Sequence, residues 1–141
     1  MSLDVYLVKK YKKTDLETNE SEIISEELYT ANITHNLNEM ADACGLYDVL
    51  WRPYRLDPNW NLKLEKKSDK EYEFENAVTI KAADLIQTLE KGLEELESNP
   101  KKYKEFNPDN GWGNYEGLVK FTKNYLKACK KYPTVIVETW R

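Results

Sequence analysis

Metal-binding and redox-active side chains are scarce in this chain, which has two cysteines and one histidine among 141 residues. Cys44, Cys129 and His35 do not follow the short ligand spacings of zinc sites. Each cysteine lies on the apolar side of a helical pattern, where a reduced thiol packs as a small hydrophobic group. We therefore expect no metal and no cofactor, with both thiols buried and reduced rather than joined in a disulfide.

Long apolar runs and an excess of positive charge are also missing. No run approaches the roughly 20 apolar residues that a helix needs to cross a bilayer, so no membrane partner is expected. The 21 basic and 25 acidic residues give a net charge of −4, which argues against broad binding to nucleic-acid phosphates. The first residues, MSLDVYLVKK, lack the basic and apolar regions of a secretion signal. A single soluble domain over residues 1–141, located in the cytoplasm, is the expectation.

Alternating apolar residues predict strands at both ends of the chain. The alternation is clear over about 2–10 and 134–140, and less regular over about 22–31. Strands at both ends with helices between them are typical of the α+β class. We therefore expect a small, mainly antiparallel sheet that includes both terminal strands, with helices packed on one face.

Helical spacing of apolar residues occurs in three segments between these strands. A short helix is predicted over 37–44, where Gly45 supplies the stop, and longer helices are predicted over 80–98 and 114–131. Residues 54–78 differ, because two short alternating segments surround a polar turn. That pattern predicts a peripheral hairpin inserted into the domain.

Four polar side chains cluster at the predicted junction between the second strand and the first helix. Such side chains cap helices by accepting hydrogen bonds from unpaired N–H groups, and they can equally direct donors and acceptors at a ligand. Capping accounts for one or two of the four, so ligand binding remains an equal alternative for Asn32, Thr34, His35 and Asn36. No nucleophile or carboxylate is placed beside His35 by spacing, so no catalytic residue is assigned.

Only five glycines occur in the chain, and two of them flank Trp112 in the segment FNPDNGWGNY, residues 106–115. Glycine allows a positive φ and a close approach of the backbone to another group. The helix predicted to follow offers unpaired N–H groups and the positive end of its dipole. A turn stapled to the core by aromatic rings is the alternative, but a turn does not require the second glycine. The pattern therefore favours a ligand site at Asn110, Gly111, Trp112, Gly113 and Tyr115.

Arg52 is the candidate for neutralising an anion at this site. Its planar guanidinium binds carboxylate or phosphate through paired hydrogen bonds. A surface salt bridge of little energetic value is the alternative. If the ligand hypothesis holds, Arg52 should point toward the 106–115 loop.

Three ordered motifs resemble a family of small, mostly uncharacterised proteins from phages and bacteria. The motifs are NITHNLNEMADACGLYDVLWRP, KAADLIQTLEKGLEEL and FNPDNGWGNYEGL, followed by a short terminal strand. The resemblance covers the N-terminal strand, the first helix and nearly everything from residue 80 onward. It implies a phage origin and action on a host factor, without an activity to transfer. Some relatives have a cysteine-rich knuckle where this chain has Lys12 to Glu22, and residues 54–78 are longer than usual.

The residues and the resemblance together favour a non-enzymatic binding protein. Its ligand would be small, anionic and nucleotide-like, and in a phage the protein would sequester a host signalling nucleotide. Trp112 or Tyr115 would stack on a ring, and backbone amides with Arg52 would meet the anion. The main alternative is a protein-interaction module that inhibits a host or defence complex, and a small hydrolase using His35 is the weakest hypothesis.

Overall fold

The computed structural model describes residues 1–60 and 68–141, and its sheet contains both terminal strands, as predicted. The strands are β1 (Ser2–Thr14), β2 (Ser21–Thr34) and β3 (Ile136–Trp140). They form one antiparallel sheet in the order β2-β1-β3. Together with the helices between the strands, this arrangement confirms the predicted α+β class.

Helices occupy most of the chain between β2 and β3. They are α1 (Asn38–Ala43), α2 (Tyr47–Trp51), α3 (Ser68–Ala77), α4 (Ala82–Ser98), α5 (Pro100–Lys104) and α6 (Tyr115–Lys131), with 3-10 helices at His35–Leu37 and Pro53–Leu56. The two longest, α4 and α6, correspond to the helices predicted over 80–98 and 114–131. Within the described residues, none of the helices has the length and apolar character needed to traverse a membrane.

The hairpin predicted over 54–78 is wrong in the part that the structure describes. The segment predicted as its second strand forms the helix α3. Residues 61–67 of the predicted hairpin lie outside the described residues. The alternation of aromatic residues with glutamates resembles a strand, but Glu and Lys have high helix propensity. Phe74 packs against Trp60 with ring centroids 5.6 Å apart, which ties the helix to the chain that precedes it.

The core lies between one face of the sheet and the helices α4 and α6. Leu3, Val5 and Leu7 of β1 are fully buried on that face, whereas the intervening Asp4 and Tyr6 are partly exposed. Alternate residues of a strand point to opposite faces, so the helices cover a single face, as predicted.

Both cysteines are part of this core. Cys44 and Cys129 are buried and free, which confirms the prediction of reduced thiols. Burial raises the pKa of the Cys44 thiol to about 11 and that of the Cys129 thiol to about 12. Because the thiolate is the reactive form, both side chains act as packing groups at neutral pH.

Beyond the core, β1 and β2 continue as a two-stranded ribbon. β3 pairs only with residues 4–8 of β1, and the residues 9–14 that follow are all exposed. The ribbon closes in a tight turn, in which the Asp15 N–H donates to the Glu20 C=O at 2.8 Å. The strands predicted over 2–10 and 22–31 are therefore longer than their apolar patterns indicate.

Candidate functional site

The two segments predicted to form a site do meet, and Gly113 is their point of contact. It has a φ of +91°, and a Cβ at this position would lie 2.6 Å from Thr34 Cγ2 and 3.0 Å from Leu37 Cγ. The second glycine beside Trp112 is therefore needed for packing against the end of β2. Gly111 has a φ of +74° with open space around it, so there the turn alone explains the glycine.

Asparagine side chains make this loop rigid by bonding to its own backbone. Three such bonds are present: Asn110 Oδ1 accepts from the Trp112 N–H at 2.9 Å, Asn107 Oδ1 from the Tyr115 N–H at 2.8 Å, and Asn114 Oδ1 from the Gly117 N–H at 2.7 Å. These bonds occupy N–H groups that were expected to meet an anion. Glu116 also adds negative charge to the first turn of α6, so this helix start is poorly suited to anion binding.

Tyr115 is a core residue and not a stacking surface, which corrects its predicted role. Its side chain is 8% exposed, and its hydroxyl donates to the Leu96 C=O of α4 at 2.6 Å. Burial raises the pKa of Tyr115, so the hydroxyl stays protonated as a donor. This bond fastens the start of α6 to the end of α4.

Removing the hydroxyl of Tyr115 should therefore destabilise the protein, whereas removing that of Tyr125 should not. Tyr115→Phe is expected to lower the free energy of unfolding by about 1 kcal/mol, because the Leu96 carbonyl loses the 2.6 Å bond from Tyr115 and keeps the 3.4 Å bond from the Asn99 N–H. The Tyr125 hydroxyl is buried without a hydrogen-bond partner among the described residues. Tyr125→Phe should thus be neutral or stabilising by about 1 kcal/mol. Urea denaturation of both variants measures the pair, and a loss at Tyr125 would contradict this assignment.

The polar side chains at the end of β2 form hydrogen bonds with other groups of the same chain. Asn32 Nδ2 donates to Ser2 Oγ at 2.8 Å and to Asp4 Oδ1 at 2.6 Å, across the β1–β2 pair. Thr34 Oγ1 accepts from the Asn36 N–H at 3.3 Å and so caps the short 3-10 helix. The capping interpretation accounts for Thr34, and strand pairing accounts for Asn32.

The His35 side chain is hydrogen-bonded to a buried tryptophan. Its Nδ1 accepts from Trp51 Nε1 at 2.8 Å, and Trp51 is only 2% exposed. The accepting nitrogen carries no proton, so the neutral imidazole holds its proton on Nε2. This contact leaves Nδ1 unavailable as a general base, which weakens the hydrolase hypothesis.

Arg52 does not point toward the 106–115 loop, so that prediction is wrong. Its guanidinium donates to the hydroxyls of Tyr47 at 3.3 Å and Tyr54 at 2.8 Å, and to Glu71 Oε1 at 3.1 Å. Burial alone would lower the pKa of Arg52, but the hydrogen bonds with the two tyrosines raise it. The guanidinium is therefore a fully charged structural group that contacts α3.

Glu71 is the centre of this cluster and was missed by the sequence analysis. Its carboxylate also accepts hydrogen bonds from Tyr54 and from Arg55, the latter at 3.1 Å. Residue spacing carried no signal for it, because it falls within the segment that was predicted to be a hairpin. The cluster joins α3 to the chain around α2.

Trp112 is exposed at the corner where the 106–115 loop meets the end of β2, as are the polar residues Asn32, Asn36 and Asn110. The Trp112 side chain is 70% exposed on a loop that Gly113 and the asparagine bonds hold in place. Such an arrangement presents an apolar, aromatic surface. Lys104, which lies 5.6 Å from the Tyr115 ring centroid, is paired with Glu116 at 3.5 Å.

Comparisons with family models, curated proteins and solved structures found no match to this chain. Within residues 1–60 and 68–141, no group of three or more His, Cys, Asp or Glu side chains is placed to hold a metal ion.

Proposed function

We propose that the protein is a non-enzymatic interaction module that uses Trp112 to anchor a partner protein. The observation that carries this proposal is a side chain 70% exposed on a loop whose backbone is fixed on both sides. Tryptophan is enriched among the few residues that dominate binding energy at protein interfaces. A loop already held in one conformation loses little entropy on binding, which favours affinity.

A protein partner is favoured over a nucleotide because the groups expected to bind phosphate have partners within the protein. Arg52 is engaged by Glu71, and N–H groups at the start of α6 are bonded to asparagine side chains. A nucleotide would retain the stacking surface of Trp112 but not the anion contacts expected from Arg52 and from the N–H groups of Tyr115 and Gly117. The resemblance to phage proteins supports a host or defence protein as the partner.

The test compares Trp112→Ala with Tyr72→Ala, a matched control on α3 whose side chain is 68% exposed. Both variants should keep the stability of the parent within about 0.5 kcal/mol. The partner that copurifies with the parent from host cells should be lost with Trp112→Ala and retained with Tyr72→Ala. Truncating a dominant interface tryptophan weakens binding by about 30-fold or more.

Three results would contradict the proposal. A severe loss of thermal stability in Trp112→Ala would make the residue a structural staple. Equal retention of the partner by both variants would place the interface elsewhere. Nucleotide released by denaturing the parent, and absent from Trp112→Ala, would restore the small-ligand hypothesis.

A further inference from the structure

A groove of about 640 Å³ lies at the base of the ribbon, where β3 begins and β1 continues alone. Its floor includes Val8 and Val135, which are 6% and 8% exposed. The groove lies far along β1 from Ser2, the residue that pairs with Thr34 at the Trp112 corner. It is therefore a second surface, separate from the proposed anchor.

Lysines from three different elements surround this groove. Four lysines and one glutamate line it: Lys9 and Lys10 of β1, Lys81 before α4, Lys131 at the end of α6, and Glu26 of β2. Lys10 forms an ion pair with Glu138 at 3.1 Å. Among the described residues, Lys9, Lys81 and Lys131 have no carboxylate within ion-pair distance. A cationic surface thus occurs on a chain whose net charge is −4.

Within residues 1–60 and 68–141, one edge of β1 is also unpaired next to this groove. The Asp15 N–H donates to the Glu20 C=O across the ribbon, so the main-chain groups of Asp15 face β2. The main-chain groups of successive residues in a strand point alternately to its two neighbours. Odd-numbered residues of β1 therefore face β2, and the even-numbered Lys10, Lys12 and Thr14 direct their N–H and C=O groups outward. β3 covers this edge only as far as Val8.

The segment that precedes β3 does not extend over this edge. Immediately before β3, the Val135 N–H donates to the Tyr132 C=O at 3.4 Å, and the Val135 C=O accepts from the Ala82 N–H at 2.9 Å. These bonds turn the backbone away from the line of β3. Residues 10–14 thus offer a strand-length row of main-chain donors and acceptors without a neighbour in the described chain.

Protection against self-association accounts for part of this charge, because lysines on an edge strand discourage pairing with another copy. Antiparallel pairing of two β1 edges would place lysines of this KKYKK segment opposite one another. Edge protection does not account for Lys81 and Lys131, which come from other elements and meet at the apolar floor. Their charge suits an occupant of opposite sign.

We propose that the basic edge of β1 and the adjoining groove bind an extended acidic segment of a partner protein. The segment would add to the sheet in line with β3, with main-chain hydrogen bonds to Lys10 and Lys12. Its apolar side chains would contact the groove floor, and its carboxylates would face the lysines. Strand addition to an exposed edge is an established mode of peptide recognition, and charge complementarity would select the partner.

The test measures binding of a fluorescein-labelled peptide of alternating glutamate and valine to the full chain by fluorescence anisotropy. A second peptide with the same side chains carries N-methyl groups on alternate amides, which removes strand pairing but keeps the charge. The N-methylated peptide and the Lys12→Glu variant should each weaken binding about tenfold. Lys120→Glu, a charge reversal on the exposed face of α6, is the matched control and should bind as the parent does.

Amide chemical-shift changes on adding the first peptide should map to Lys10, Lys12, Lys81 and Lys131. Equal affinity for the two peptides would overturn strand addition. Equal weakening by Lys12→Glu and Lys120→Glu would overturn a specific site, as would no binding by the parent. Displacement of the peptide by an equimolar single-stranded oligothymidylate would reassign the basic edge to nucleic acid.

Discussion

Replacing Gly113 by alanine is expected to lower the free energy of unfolding by about 2–5 kcal/mol. Two costs add at this position. The left-handed backbone, at a φ of +91°, costs an L-residue about 1–2 kcal/mol. The new Cβ would also lie 2.6 Å from Thr34 Cγ2 and 3.0 Å from Leu37 Cγ, and overpacking of this kind costs about 1–3 kcal/mol. Urea denaturation beside the parent measures the loss.

Gly111→Ala is the matched control for this prediction. Its φ is +74° but nothing lies within 4 Å of the added Cβ, so it should cost only about 1–2 kcal/mol. Thr34→Ser should partly rescue Gly113→Ala, because serine lacks Cγ2 but keeps the hydroxyl that accepts from Asn36. Equal losses at the two glycines, or no rescue, would show that packing on Thr34 does not hold the loop.

The case of Gly113 shows how far the sequence predicts the site. A glycine that a turn does not require indicates a close approach of the backbone, and the approach is present. The group approached is Thr34, far away in the sequence, and spacing alone cannot distinguish a distant side chain from a ligand. The polar side chains of Asn32 and His35 were ambiguous for the same reason, because their partners come from other elements.

Elements with one buried face were predictable, because burial on one side imposes a period on the sequence. The first half of β1 and the helices α4 and α6 follow this rule. The ribbon does not, since both of its faces contact water and residues 9–14 carry no alternation of polarity. The same solvation makes the ribbon available for contacts with another protein.

The cluster around Glu71 was beyond prediction because its bonds join distant parts of the chain. The aromatic residues of α3 alternate with glutamates, and this local pattern competes with helical spacing. The contact of Glu71 with Arg52 and the ring contact of Phe74 with Trp60 are made by the helix and not by a strand. The sequence therefore predicts that Arg52 binds an anionic ligand, whereas the group that it binds is the carboxylate of Glu71.

Replacing Glu71 by alanine is expected to detach α3 and to cost about 2–4 kcal/mol. Its side chain is 14% exposed and accepts from Arg52 and Arg55, both at 3.1 Å, so its loss leaves two guanidinium groups without this carboxylate. Hydrogen exchange should show loss of protection across α3, and urea denaturation should show the energetic cost. Glu73→Ala is the control on the same helix, because Glu73 is exposed and should change stability by no more than about 0.5 kcal/mol.

Protonation of Glu71 at low pH should also detach α3 from the rest of the unmutated protein. Burial alone would raise the pKa of Glu71, but hydrogen bonds from Tyr54 and Arg55 lower it below its ordinary value of 4.5. A lowered pKa in the folded state means that the unfolded state takes up the proton first on acidification. The stabilisation by Glu71 is therefore complete above the ordinary value and is lost as the pH falls through the lower folded value. Protection factors across α3 should drop over this range in the parent and remain flat in Glu71→Gln, which has no proton to take up there. If α3 opens over the same pH range in both proteins, other carboxylates govern its docking and the role assigned to Glu71 is wrong.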